Sequence, residues 1–330
     1  MWHMQNQTVA DAVFMVEPTS FGFDEQTALS NVFQQHLDSP ASEITVRAQA
    51  EFDSFAATLR THNIEVIIFR DTDFQPKPSA VFSNNWLSTW PDGRVFLYPM
   101  ATASRRVERS EAALDAIRTQ RLITDVADLS HAERDNVFLE STGVMVFDHA
   151  HKLVYACLSE RCNEHLLRVH AAQLGYKPII FHAATEDGAA IYHTNVMLAV
   201  QSHTAIICAE AITDTSERTH VLASLRETGH EVIEISLDQM RNFCGNVLEV
   251  QSRDGKPCIV MSQSAYENFT PQQRATLEVN DILIPVAIPT IETIGGGSAR
   301  CMLTEIFLPP LPASLTRPDS SLATAAPITA

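Results

Sequence analysis

Basic residues are scarce in this chain: 23 Lys and Arg stand against 40 Asp and Glu, a formal charge of −17 over 330 residues. Such a balance repels nucleic-acid phosphates and anionic lipid, so neither is an expected partner. The acidic residues are scattered rather than run together, which reads as a solvated surface. Also missing is any apolar run long enough to span a bilayer, and Met1 to Ala10 carries neither a basic n-region nor an apolar h-region. A cytoplasmic protein is expected. The six cysteines, Cys157, Cys162, Cys208, Cys244, Cys258 and Cys301, are too sparse for a disulfide framework. Cys157 and Cys162 have no second pair at zinc spacing, and His149 and His151 read as a solvated hairpin tip rather than a metal site. No Lys-Ser/Thr follows Gly295-Gly296-Gly297, which argues against a phosphate-cradling loop.

What is present is apolar pattern. Hydrophobic residues make up 45% of the chain, enough for one large core or two ordinary ones. Strands are expected at Ala12 to Val16, Glu65 to Phe69, Val95 to Tyr98, Gly143 to Phe147, Leu153 to Cys157, Asn195 to Val200, Thr204 to Cys208, Val247 to Gln251, Cys258 to Met261 and Ala299 to Phe307. Helices are expected at Glu25 to His36, Ser42 to Thr61, Ser110 to Arg121, Ser159 to Leu174 and Asp214 to Glu227, with a short one capped by Thr270, Pro271 and Gln273. A helix stop followed by a β-branched run recurs at Ile64, Leu122, Lys177, Glu231 and Ile282, at intervals of about 58, 55, 54 and 51 residues. Each unit reads as a hairpin, a helix and a returning strand. Five such units set radially would gather loops from distant parts of the chain at a central channel. Residues 1–308 thus form one expected domain, and 309–330 a Pro-, Ser-, Ala- and Thr-rich tail with little to pack.

The glycine turn Gly295-Gly296-Gly297 presents Cys301, the candidate nucleophile, which needs a base or cation beside it. His193, at the mouth of an apolar strand, is either that base or a satisfied strand-end histidine. Glu140 follows an apolar run and precedes Ser141-Thr142-Gly143; it could orient a histidine, bind a substrate nitrogen or cap the turn. Asn84 and Asn85 beside Trp86 suit a neutral amide or urea, or simply a loop turn. Arg105, Arg106 and Arg161 could fork onto a carboxylate, or lie at the surface.

Taken in order, these fragments resemble the guanidino-group-modifying superfamily, the arginine deiminase and dimethylargininase relatives, and within it the citrulline utilization hydrolase branch. The resemblance runs from about Val13 to Pro309. It is carried by Phe21-Gly22-Phe23, Asn31-Val32-Phe33-Gln34, Phe82-Ser83-Asn84-Asn85-Trp86, Tyr98-Pro99-Met100 with Arg105-Arg106, Phe138-Leu139-Glu140, Ser159-Glu160-Arg161, His193-Thr194-Asn195 and Gly295-Gly296-Gly297 with Cys301-Met302. It implies a five-bladed α/β propeller of ββαβ units. It also implies Cys301 as nucleophile, His193 as general acid/base, Glu140 as the group holding the histidine or a substrate nitrogen, and Arg105 and Arg161 as the grip on an α-carboxylate.

Two departures bear on substrate. Deiminases carry aspartates where this chain has Asn85 and Asn195, and two aspartates neutralise a guanidinium where two asparagines cannot. A neutral ureido group fits two amides. Asp24 also stands where relatives often have asparagine. The expectation is a metal-free, cofactor-free hydrolase that takes citrulline to ornithine, ammonia and carbon dioxide through a covalent cysteine intermediate, with a small amino acid as its partner and a possible homo-oligomer. The alternatives are an arginine dihydrolase, a deiminase or dimethylargininase-type hydrolase, an amidinotransferase, and a ligand-binding propeller without catalysis.

Overall fold

The computed structural model describes residues 7–73 and 75–312. Five three-stranded mixed sheets make up its strands. The first sheet holds β1 (Ala12–Val16) and β2 (Glu65–Phe69), and the second holds β3 (Leu87–Thr89), β4 (Arg94–Leu97) and β5 (Asp125–Asp128). The third is β6 (Val146–Asp148), β7 (Leu153–Cys157) and β8 (Lys177–Phe181), and the fourth is β9 (Leu198–Val200), β10 (Thr204–Ile207) and β11 (Glu231–Glu234). The fifth is β12 (Leu248–Gln251), β13 (Pro257–Ser262) and β14 (Ile282–Val286), while β15 (Thr304–Ile306) returns to the first.

Every sheet has the same plan. A hairpin sets the middle strand antiparallel to one neighbour, and a helical crossover returns the third strand parallel to it. In the first sheet the hairpin partner comes from the other end of the chain: β15 pairs antiparallel with β1, Phe14 opposite Thr304, while β2 lies parallel to β1. The middle strands β1 and β10 are buried along their whole length, which is why they read as unbroken apolar runs rather than alternating ones. The five repeats of the sequence are the five sheets among the described residues, an α/β fold of small mixed sheets.

Several expected elements are corrected. Glu25 to His36 is not a helix; only Thr27–Leu29 makes a short 3₁₀ turn. The polar groups that would serve a helix go elsewhere. Asn31 Nδ2 donates to the carbonyls of Gly295 (3.3 Å) and Gly296 (3.2 Å), Gln34 Nε2 to Ile294 (3.1 Å), and the Gln35 N–H to Thr293 (2.7 Å). The segment is a strap across the glycine loop. The long helix is Ala41–Thr61, and its inner face is Ile44, Ala48, Phe52, Phe55 and Leu59; Val46 is 68% exposed. The helix expected from Ser159 starts at Glu164, where the Asn163 side chain accepts the Leu166 N–H. The strands expected to begin at Gly143, Asn195 and Ala299 open instead on single helical turns, Ser141–Val144, Thr194–Val196 and Ala299–Met302.

At the expected start of the tail, the Pro309 carbonyl accepts the Leu122 N–H (2.8 Å) and Pro310 bridges Arg121. The remainder of that tail, 313–330, lies outside the described residues. No described helix is long and apolar enough to cross a membrane.

Candidate active site

The turn that precedes the first strand of each hairpin carries a residue of the site: Asn85 before β3, Gly143 before β6, Asn195 before β9, Asn246 before β12 and Cys301 before β15. Hydrogen bonds tie each turn to the next. Ser141 Oγ donates to the Leu87 carbonyl (2.9 Å), Thr194 Oγ1 to Val144 (2.7 Å) and Asn246 Nδ2 to Asn195 (2.8 Å). The ring closes through Asn246 Nδ2, 3.3 Å from Cys301 Sγ, and Ser83 Oγ, 3.4 Å from the Met302 carbonyl. These side-chain bonds hold the turns in helical form, which explains why apolar pattern alone reads them as strand.

Cys301 is 3% exposed, and its sulfur faces two amide donors, Asn246 Nδ2 at 3.3 Å and Asn195 Nδ2 at 3.6 Å. N–H donors aimed at sulfur stabilise negative charge on it. The glycines before it are required by packing. Gly296 has φ +62°, and a Cβ on Gly295 would lie 2.5 Å from the Phe82 ring. Burial pushes the thiols of Cys157, Cys208 and Cys244 up to about 12 and that of Cys258 to about 11, and raises Cys162 as well. Those five are poor nucleophiles near neutral pH.

His193 Nε2 and Glu140 Oε2 are 2.7 Å apart, both side chains buried. Glu140 also accepts the Ala101 N–H (3.0 Å) and lies 3.5 Å from Arg161 Nη1. Burial raises the Glu140 carboxyl, but Arg161, His193 and Arg105 together outweigh it and hold the group at about 2. Burial dominates at His193 and pulls it to about 4 despite Glu140. An ionised carboxylate therefore faces a neutral imidazole at neutral pH. With Nε2–H donated to Glu140, Nδ1 is the basic nitrogen.

Cys301 and His193 line one cavity with Asn85, Arg105, Arg161, Tyr192, Ser79, Phe82, Thr27, Asn31 and Gly295, Gly296 and Gly297. Arg161 stacks over Tyr192 (4.8 Å) and donates to Ser30 Oγ (2.7 Å). Arg105 is not at the surface: it is 2% exposed, forked onto Glu108 and bonded to Asn85 Oδ1 at 2.6 Å. Asn85 Nδ2 and Arg161 Nε are buried with no protein partner, as groups awaiting a ligand are.

Of the residues expected from sequence, the structure gathers Cys301, His193, Asn85, Arg105 and Arg161 on the cavity wall. Asn195 touches the sulfur and Glu140 lies behind the histidine. Asn84 is not brought in: its amide donates to Thr142 Oγ1 (3.3 Å), away from the cavity lining. Sequence reasoning missed Glu108 and Asn246. Glu108 is three residues past Arg105, helical reach for an ion pair. Asn246 could have been found by carrying the repeat forward from Asn85 and Asn195 to the same turn of the next unit.

Gly143 admits no side chain. A Cβ there would lie 2.4 Å from Asn85 Nδ2 and 3.0 Å from His193 Nδ1. Replacing Gly143 by Ala should displace both and lower kcat/KM by about 10- to 100-fold, since sub-ångström misplacement of reacting groups costs on that order. Steady-state kinetics beside a far-ultraviolet dichroism spectrum checks it; the spectrum should be unchanged.

Known proteins resemble the chain in sequence profile and in fold. The sequence profile of a family described as N,N dimethylarginine dimethylhydrolase, eukaryotic, matches residues 17–308. No curated protein matches the chain by sequence. Among solved structures, ArgZ, an arginine dihydrolase from the ornithine-ammonia cycle in cyanobacteria, superimposes with a TM-score of 0.70 at 15% identity, covering 92% of this chain and 42% of that one. The chain thus spans about two fifths of full-length ArgZ. The N-terminal domain of ArgZ, in a complex with substrate, gives a TM-score of 0.68 at 16% identity, with 90% of this chain and 99% of that one covered. A dimethylarginine dimethylaminohydrolase adduct with S-methyl-L-thiocitrulline gives 0.61 at 14% identity, covering 89% and 99%. At these identities the likeness is one of fold, whereas the profile spans almost the whole described chain. The chain belongs to the N,N-dimethylarginine dimethylhydrolase family, and so to the guanidino-group-modifying, arginine deiminase-related superfamily.

Proposed function

We propose that this protein hydrolyses the ureido group of citrulline, giving ornithine, ammonia and carbon dioxide, with Cys301 as nucleophile. One observation carries the substrate assignment: among the described residues, no Asp or Glu lines the cavity that holds Cys301, while two arginines do. Glu140 is engaged by His193, Arg161 and the Ala101 N–H, and Glu108 by Arg105. A guanidinium entering here would meet cations and amides, and an unpaired buried charge costs several kcal/mol, about 3–5 for a broken buried pair. A ureido group is neutral, accepts at one oxygen and donates at two nitrogens, which Asn85, Asn195 and the free donors can meet. Arg105 and Arg161 then answer the α-carboxylate.

In this mechanism the five sheets act as the blades of a propeller, with the ring of turns at its centre. The Cys301 thiolate attacks the ureido carbon and forms a C–S bond, assisted by the amides of Asn195 and Asn246. His193 Nδ1, having taken the Cys301 thiol proton, passes it to the departing nitrogen as the C–N bond breaks. Glu140 keeps the other ring proton on Nε2, which leaves Nδ1 free for this transfer. His193 next takes a proton from water, which cleaves the C–S bond and returns the thiolate. The carbamate released decomposes, so atoms balance as one citrulline and one water to ornithine, ammonia and carbon dioxide.

The family profile supports a second reading, hydrolysis of arginine or its methylated forms on the same groups. Purified protein offered citrulline, arginine and dimethylarginine side by side separates the two. Ornithine from citrulline is the expected result. Citrulline accumulating from either arginine would show a deiminase or dimethylargininase, and two ammonia per ornithine from arginine a dihydrolase. The same argument expects Asn85→Asp, which adds a carboxylate beside Arg105, to lower kcat/KM for citrulline by about 10- to 100-fold, the worth of a charge-sensitive hydrogen bond. Arginine turnover should rise in the same variant, measured by product analysis.

A further inference from the structure

On the side of the molecule where the third and fourth sheets meet, Asp148, His151 and His230 bring three ligand atoms within 4.8 Å of one another. Asp148 ends β6, His151 lies in the β6–β7 turn, and His230 stands before β11, so the group joins two sheets. Its spacing in sequence hides it, because the second histidine comes from the next repeat. His149, which alternates with His151 in the turn, points away and pairs with Tyr176 Oη at 2.7 Å.

Thr228 Oγ1 lies 2.8 Å from His230 Nδ1. On the other side of the ring, His230 Nε2 is 4.0 Å from Asp148 Oδ2, with both side chains 3% exposed. At that separation the two atoms make no hydrogen bond, and a cation between them would be held by both. Asp148 and His230 also border a cavity.

We infer that Asp148, His151 and His230 form a zinc site that clips the third sheet to the fourth. Two imidazole nitrogens and a carboxylate oxygen are a zinc donor set, with a fourth position left to water. The Thr228 hydroxyl is the outer partner that zinc-bound histidines normally have. Tetrahedral zinc places its donors about 3.3 Å apart. Asp148 Oδ2 and His151 Nδ1 are 2.9 Å apart already, and the His151 side chain is 43% exposed, free to turn toward His230. Coordination through His151 Nδ1 leaves the ring proton to Nε2. This site is independent of the proposed hydrolysis.

The test uses the full chain with Cys301→Ser, which removes the cavity thiol as a competing zinc ligand. Zinc affinity is measured by competition with a chromogenic chelator, and the thermal midpoint is followed against zinc concentration. The expected result is one tight zinc per chain and a midpoint that rises with zinc. His151→Ala and His230→Gln should each weaken binding by about 100-fold and Thr228→Val by about 10-fold, the scale of ligand and outer-partner losses. Cobalt(II) should give the intense visible bands of a tetrahedral site in the parent and lose them in His151→Ala. His151 is at the surface, so that variant tests the site even where His230→Gln fails to fold. Zinc bound with equal affinity by parent and His151→Ala, or no saturable binding in the parent, overturns the inference.

Discussion

Cys301→Ala should abolish release of ornithine, with a fall in kcat of about 10⁵-fold or more, the scale seen when a covalent nucleophile is removed. The effect is expected to be that large because nothing else in the cavity can replace the sulfur. The remaining side chains on the wall are arginines, amides, hydroxyls, aromatic rings and one histidine, and burial keeps the other five thiols protonated. The substitution removes volume from a small buried side chain that packs beside Met302 and Leu303, and the surrounding turn is held by its own backbone, with the Cys301 N–H bonded to Ser298 (3.0 Å). The variant should therefore fold and bind substrate. Equilibrium binding of citrulline to Cys301→Ala, beside the kinetics, distinguishes a lost reaction from a lost site.

Glu140→Gln should lower kcat by about 10³- to 10⁴-fold, as does the loss of the carboxylate that orients a catalytic imidazole. Glu140 is wholly buried and serves three groups at once: the His193 ring at 2.7 Å, the Ala101 N–H at 3.0 Å and Arg161 at 3.5 Å. A neutral amide can accept from only one side. With its NH₂ in the Oε2 position the substituted amide faces both the histidine, which favours the tautomer with the proton on Nδ1, and the arginine; with its NH₂ in the Oε1 position it faces the Ala101 N–H. Arg161 would also lose its buried counter-charge, so stability should fall by about 3–5 kcal/mol. Chemical denaturation measures that loss. A variant as stable as the parent and only a few-fold slower would show that Glu140 caps its turn and no more.

Much of this site is legible in the sequence, but unevenly. Cys301, His193 and Glu140 stand out because each sits at a sharp change of local pattern, from glycine or apolar run to a single reactive side chain. The His193–Glu140 contact and the cavity that His193 shares with Cys301 are not legible, since they depend on three turns drawn from three sheets. Glu25 to His36 misleads for the complementary reason. Its spacing suits a helix, yet Asn31, Gln34 and Gln35 spend their donors on the glycine loop, an interaction between opposite ends of the chain that local propensity cannot register. Asn84 and Asn85 show the same limit at the scale of one residue. Both are amides in one turn, but only Asn85 reaches the cavity; Asn84 faces Thr142.

The repeat is the most informative signal in the chain. It sets the number of units, and its phase also places a functional position in each of them. Asn85, Gly143, Asn195, Asn246 and Cys301 occupy the same turn in successive sheets. Equivalent turns let one fold bring amide donors, an open space for a histidine and a nucleophile together. Changing one member alters the chemistry without altering the scaffold, which is why Asn85→Asp is expected to act on substrate choice rather than on folding.

The central claim, that Cys301 attacks the ureido carbon of citrulline, is tested most directly with citrulline carrying ¹³C at that carbon. Protein mixed with the labelled substrate, quenched in acid during turnover and digested should carry the label on the peptide containing Cys301, and the label should leave as ¹³CO₂ alongside ornithine. Turnover with no label on that peptide, or label that remains in citrulline while arginine is consumed, would contradict the account.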